Sequence, residues 1–282
     1  MLRSTGSNGV FHPSRQKGQS FLKDPAFISK IVSAIKVTSQ DTLLEIGAGS
    51  GQLTIPLTQA NPSRILAFEP ETVLAQRLRQ SLSIEQLVPW EVIEKDFLSV
   101  ELSTLLAEHQ ASRIRVVGNL PYSVASPILL KLLAERNSFI DLTLMFQQEV
   151  AERLVARPGT KAYGFLSVMT QQATRPRILF GIPPNAFRPR PKVHSAMVHF
   201  DPLGKDETNV REPKVFEAIV KSLFAHRRKT ISNNIKHLSS PLLDPNTLRS
   251  ALEDLGIEPS RRAETLTVDE FAALAHFCTS RQ

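Results

Sequence analysis

The chain has 282 residues, 41% hydrophobic and 22% charged, an ordinary balance for a soluble globular protein with one large domain and a small one. No run approaches the roughly 18 apolar residues of a membrane span, and the lone cysteine, Cys278, excludes an internal disulfide or a thiolate metal cluster. A formal charge of +7 and an isoelectric point near 9.7 favour polyanionic partners.

The first sixteen residues lack the apolar core of a secretory signal. They are acid-free like a transit peptide, but short and Gly/Pro-broken, so a cytoplasmic location is expected. Asp24-Pro25 reads as a helix cap with proline at the first helical position, and Ile28, Ile31, Val32 and Ile35 give the helix an apolar face. Short apolar runs then alternate with helical patterns: Leu43–Ile46, Ile65–Phe68, Val92–Ile93, Ile114–Val117 and Leu142–Phe146 as strands, and stretches near Gln52–Gln59, Thr72–Ser81, Leu102–Glu108 and Pro127–Leu133 as helices. This alternation predicts an α/β, doubly wound, Rossmann-like domain with parallel strands. Two further helices (Glu149–Ala156, Phe165–Gln172) and two strands (Arg177–Phe180, Val193–Phe200) follow. The polar, Pro-punctuated segment Asp201–Pro213 suits a linker. Beyond it four helical patterns predict a small C-terminal all-helical domain, so the expected domains are residues 1–202 and 203–282.

Leu43 to Gly51 is a buried strand running into a G-x-G-x-G turn that opens a helix. Glycines there allow a tight turn and close approach to a ligand. The spacing is not the G-x-G-x-x-G of dinucleotide enzymes, so no pyrophosphate cradle is implied. Glu69 ends the next strand at the offset where an acid reaches a ribose hydroxyl pair. Asp96 ends a further run, placed to accept from an adenine amino group, with Phe97 beside the ring. A ribose with a small non-phosphate substituent describes S-adenosylmethionine.

Strand Ile114–Val117 leads into Gly118-Asn119-Leu120-Pro121-Tyr122. As a bare sequence this is a turn; at the fourth strand of such a sheet it acquires a chemistry. An exocyclic amine is a poor nucleophile because its lone pair is delocalised into the purine. The Asn119 side-chain carbonyl and the backbone carbonyl of Leu120 or Pro121 can accept from that amine and aim the lone pair at a methyl donor. Tyr122 would stack on a flipped-out base. Neither a metal nor a histidine base is called for.

Several motifs occur in order along nearly the whole chain: Arg15–Leu22, Glu45–Gly51, Asn119–Tyr122, Gln148–Leu154, Lys161–Gly164 with Ser167-Val168, Pro183–Phe187 with Pro189–Val193, His226–Thr230, and Arg261–Glu264. In that order they resemble the ribosomal RNA adenine N6,N6-dimethyltransferase family, and within it the small-subunit branch. The resemblance implies cofactor contacts at Gln19, Ser20, Leu22, Gly47, Gly49, Glu69, Asp96, Phe97 and Asn119. It implies that Asn119, Leu120, Pro121 and Tyr122 hold the target adenine and that Phe187 offers a second stacking surface. It further implies two methyls on each of two adjacent adenines in the 3′-terminal hairpin of small-subunit rRNA, within an immature subunit, by a monomer. Ser20 stands where the family usually has Asn, and Ser123 and His194 are likewise departures.

From Arg153 to Lys192 there are eight basic residues and no acid, either a solvated face or a phosphate-binding one. The Pro183–Pro191 loop and Arg227 with Arg228 are expected on the same RNA face. Three alternatives share parts of this pattern: large-subunit methyltransferases of macrolide resistance, a non-catalytic assembly factor, and a DNA adenine methyltransferase.

Overall fold

The computed structural model describes residues 20–85, 88–111, 113–238 and 240–280. Nine strands and eleven helices are present among them: β1 (Phe21–Leu22), α1 (Pro25–Ile35), β2 (Thr42–Ile46), α2 (Thr54–Gln59), β3 (Arg64–Phe68), α3 (Thr72–Glu85), β4 (Trp90–Ile93), α4 (Leu102–Glu108), β5 (Ile114–Asn119), α5 (Ala125–Ala134) and β6 (Phe139–Gln147), followed by α6 (Gln148–Leu154), α7 (Phe165–Gln171), β7 (Thr174–Ile182), β8 (Phe187–Arg188), β9 (Ser195–Pro202), α8 (Pro213–Leu223), α9 (Ile231–Ile235), α10 (Pro245–Asp254) and α11 (Val268–Ser280).

Local sequence explains the first helix directly. Asp24 caps α1 by accepting from the Ala26 amide at 2.9 Å, and Pro25 occupies the first turn. Ile31 and Ile35 are buried on its inner face. The strands β2, β3, β5 and β6 are nearly all buried, as expected of strands covered on both faces.

Seven strands form one sheet in the order β4-β3-β2-β5-β6-β9-β7. Pairings from β4 across to β6 are parallel. The order reverses at β2, where β3 and β5 lie on either side, and the crevice at such a switch point is where α/β sheets bind ligands. A separate two-stranded ladder joins β1 to β8, pairing Leu22 with Phe187 and Phe21 with Arg188.

The chain divides into two compact units. Of the described residues, one comprises those up to Lys131 with Ser138–Gln148 and Leu179–His199; the other comprises Leu132–Asn137, Glu149–Ile178 and those from Phe200 onward. The second contains α8 to α11, whose buried faces include Phe216, Ile219, Leu248 and Phe271. Among the described residues no helix is long and apolar enough to cross a membrane.

Candidate active site

Strand β2 delivers the chain to a turn in which Gly47 and Gly49 have φ of +76° and +60°, a region where a side chain clashes with its own backbone. The amides of Gly47 and Ala48 both donate to the Phe68 carbonyl, at 2.9 and 3.0 Å, which fixes the turn to the end of β3. Glu69, 5% exposed, follows at that end. Its Oε2 accepts from the Gly49 amide at 2.8 Å and its Oε1 from the Glu71 amide at 3.0 Å.

One residue before Ile46, Glu45 is buried. Its Oε2 has no hydrogen-bond partner among the described residues. Burial pushes its carboxyl up to about 8; the Thr54 hydroxyl opposes that rise without a well-formed hydrogen bond, and the Glu69 charge adds to it. At neutral pH Glu45 is therefore a neutral acid.

Past β4, Asp96 caps a single helical turn, Phe97–Ser99, by accepting from the Leu98 amide at 2.9 Å. Phe97 is buried and stands edge-on to Phe68 with ring centroids 5.4 Å apart. Lys131 of α5 donates its ammonium to the carbonyls of Phe97 at 3.0 Å, Leu98 at 2.9 Å and Val100, using all three of its donors on this turn.

Strand β5 ends at Asn119, whose Nδ2 donates to the Ser20 carbonyl at 3.2 Å. The Pro121 carbonyl accepts from the Val124 amide at 3.0 Å. Tyr122 places its hydroxyl 2.6 Å from Ser195 Oγ, and burial holds its phenol above the ordinary tyrosine range, the Ser195 bond opposing that rise.

These strand ends enclose a cavity of about 440 Å³. Ser20, Gly47, Gly49, Glu69, Asp96, Phe97, Asn119, Leu120, Pro121 and Tyr122 all line it. Phe21, Phe68, Glu71 and Lys95 line it too and were not foreseen; Phe21 and Phe68 each neighbour a residue that the motifs flagged, while Lys95 carries no sequence signal. Two expected residues do not line it. Leu22 is 1% exposed and Phe187 2% exposed, paired across the β1–β8 ladder within the hydrophobic core. Phe187 therefore offers no open face to a base in this conformation, because the ladder turns its side chain inward. Gln19, with residues 15–18 of the same motif, lies outside the described residues.

The lining fits S-adenosylmethionine. Gly47 and Gly49 present backbone without side chains, Glu69 brings a carboxylate, the group that accepts from a ribose hydroxyl pair, and Phe97 with Asp96 sets an aromatic ring beside an acceptor.

Within the second unit, three further motifs meet one another. Arg227 donates through Nε to Glu264 at 2.8 Å and through Nη2 to the carbonyls of Thr160, at 3.4 Å, and Lys161. The Gly159 amide donates to the Glu264 carbonyl at 2.7 Å and the Ile231 amide to the Arg261 carbonyl at 2.8 Å. Tyr163 is fully buried against Phe224, which stacks on Phe271. Arg227, expected on an RNA face, is engaged in this clasp while remaining exposed, and Arg228 and Lys229 beside it are exposed too. Of the eight basic residues from Arg153 to Lys192, three are paired: Arg153 with Glu149, Arg175 with Glu207 and Arg177 with Asp201. Arg157, Lys161, Arg188, Arg190 and Lys192 are exposed and make no ion pair among the described residues.

Residues 11–280 match the family model described as ribosomal RNA adenine dimethylase. A protein of Geobacter metallireducens named ribosomal RNA small subunit methyltransferase A is 41% identical over 92% of this chain and 92% of its own length. One of the same name from Caldanaerobacter subterraneus subsp. tengcongensis is 38% identical over 92% of this chain and 94% of its own. Among solved structures, a dimethyladenosine transferase from Plasmodium falciparum shares the fold with a TM-score of 0.75 at 24% identity, covering 90% of this chain and 95% of that one. The 23S rRNA methyltransferase ErmE does so with a TM-score of 0.66 at 23% identity, covering 92% and 99%. With the site and the whole-chain matches in agreement, the chain belongs to the ribosomal RNA adenine dimethylase family and is an S-adenosylmethionine-dependent rRNA adenine dimethyltransferase.

Proposed function

We propose that the protein dimethylates the N6 amines of two adjacent adenines in the 3′-terminal hairpin loop of small-subunit rRNA, within an immature subunit. The observation that carries the reading is that the Asn119–Tyr122 segment lines the same cavity as Gly47, Gly49 and Glu69. Identity of 36% to 41% to relatives named for the small subunit supports that substrate over the large-subunit one.

Bound S-adenosylmethionine supplies an electrophilic methyl group. The chain's own part is to bind and to aim. Glu69 holds the ribose, Asp96 and Phe97 hold the adenine ring, and Ser20, Gly47 and Gly49 border the remainder. Asn119 has its amide N–H committed to Ser20, which turns its carbonyl oxygen toward the target amine. The Leu120 or Pro121 carbonyl is the second acceptor, that of Pro121 also accepting from the Val124 amide. Two acceptors on one amine localise its lone pair along the transfer direction. Tyr122 stacks on the extruded base. Residues 1–202 serve as the methyltransferase domain and residues 203–282 as a helical rRNA-binding domain, acting as a monomer in the cytoplasm.

Unmodified small subunits incubated with labelled S-adenosylmethionine, followed by digestion of the rRNA, test this proposal. Label is expected as dimethyladenosine at two neighbouring positions of the 3′ hairpin. Unlabelled small subunits, with label entering large-subunit rRNA in a parallel reaction, would contradict it.

A further inference from the structure

Tyr122 is anchored at the tip of its ring. Its hydroxyl lies 2.6 Å from Ser195 Oγ, at the short end of O–H···O geometry. Ser195 is the first residue of β9 and is fully buried. The residue before it is fixed as well, since the Gln148 amide donates to the His194 carbonyl at 2.9 Å. At the other end of the motif, Asn119 is held by Ser20. The segment that lines the cavity is thus clamped at both ends by partners remote in sequence.

A stacking surface is useful only if its plane is fixed, and a tyrosine ring turns about two side-chain torsions. A hydrogen bond at the hydroxyl, the point farthest from the main chain, fixes the first torsion and so the direction of the ring axis; the oxygen lies on the axis of the second torsion, which the bond restrains through the preference of a phenolic O–H for the plane of its ring. With the hydroxyl occupied by Ser195, Tyr122 meets the cavity through its ring and main chain. Ser195 itself does not line the cavity.

We infer that Ser195 is a positioning residue for methyl transfer: its hydroxyl holds that of Tyr122 and so sets the plane on which the target adenine stacks. The inference rests on the reading that Tyr122 stacks on that adenine.

The test is steady-state methyl transfer to unmodified small subunits by Ser195→Ala, Tyr122→Phe, the double variant and Tyr122→Ala. Ser195→Ala and Tyr122→Phe each delete the same bond and are each expected to lower kcat by about tenfold, the scale of one buried hydrogen bond. KM for S-adenosylmethionine should stay unchanged. The double variant should be no slower than either single one, because the bond can be lost only once. If Ser195→Ala does not fold, Tyr122→Phe makes the same comparison from the cavity side with the ring retained. A Ser195→Ala protein that melts at lower temperature yet turns over at the wild-type kcat would overturn the inference, as would losses that add in the double variant. Wild-type turnover by Tyr122→Ala would overturn the stacking reading, and the inference with it.

Discussion

Glu45, near the end of β2, is a buried acid whose carboxyl burial holds in the protonated form. Below about 4.5 the Glu45 carboxyl is protonated in both the folded and the unfolded chain; between there and about 8 only the folded chain keeps the proton. Stability therefore falls as pH rises through that window, by up to about 1.4 kcal/mol per unit, and the loss is complete above it. Glu45→Gln keeps the shape of the neutral acid and is expected to flatten this fall, as thermal unfolding from about pH 5 to pH 9 would show. Parallel curves for the two proteins would mean that the folded carboxyl is ionised. Gly49 makes a second residue-scale prediction. Its φ is +60°, and a Cβ there would sit 3.0 Å from Phe21 Cε1. Gly49→Ala is expected to raise KM for S-adenosylmethionine roughly tenfold, through backbone strain and a displaced Phe21, with steady-state kinetics as the check. The glycine spacing and the acid at the next strand end were legible in the sequence because they follow from how a strand must turn to meet a ligand. The protonation of Glu45 was not, since it depends on what packs around β2.

At the scale of elements, the cap Asp24-Pro25 and the long buried strands were readable from local rules. The two-residue strands β1 and β8 were not, because two residues carry no periodicity and their pairing is purely tertiary. That omission is why Phe187 looked like a presented aromatic: a Pro-rich loop flanked by arginines reads as surface, whereas the ladder with Leu22 buries the ring. The Lys161–Gly164, His226–Thr230 and Arg261–Glu264 motifs were found as patterns, but their mutual contact was invisible. Arg227 and Arg228 separate the two roles. Arg227→Ala removes the Glu264 pair and two carbonyl contacts and is expected to cost on the order of 1 kcal/mol in denaturant unfolding, its partial exposure limiting the loss. Arg228→Ala should leave stability unchanged and reduce the salt dependence of binding to small subunits. The reverse pattern would place Arg227 on the RNA and Arg228 in the fold.

For the whole molecule, strand–helix alternation announced a sheet of parallel strands, and β4, β3, β2, β5 and β6 pair in that arrangement. The strand order, with its reversal at β2, puts the Gly47 turn, Glu69, Asp96 and Asn119 around one cavity although they are spread over some seventy residues. Their successive positions at strand ends made that convergence foreseeable. The charge pattern was less informative than it looked. The acid-free tract from Arg153 to Lys192 acquires carboxylates from Glu149, Asp201 and Glu207, all outside it in sequence, and only folding brings them there.

The measurement that bears most directly on the central claim is the single-turnover rate of methyl transfer to unmodified small subunits by Asn119→Ala, beside the wild-type protein and at saturating S-adenosylmethionine. Removal of an acceptor aimed at the reacting amine is expected to slow transfer by about 10² to 10³ while the variant still binds the subunit. Transfer at the wild-type rate would show that the amine is activated elsewhere and that the cavity wall from Asn119 to Tyr122 is not where the chemistry occurs.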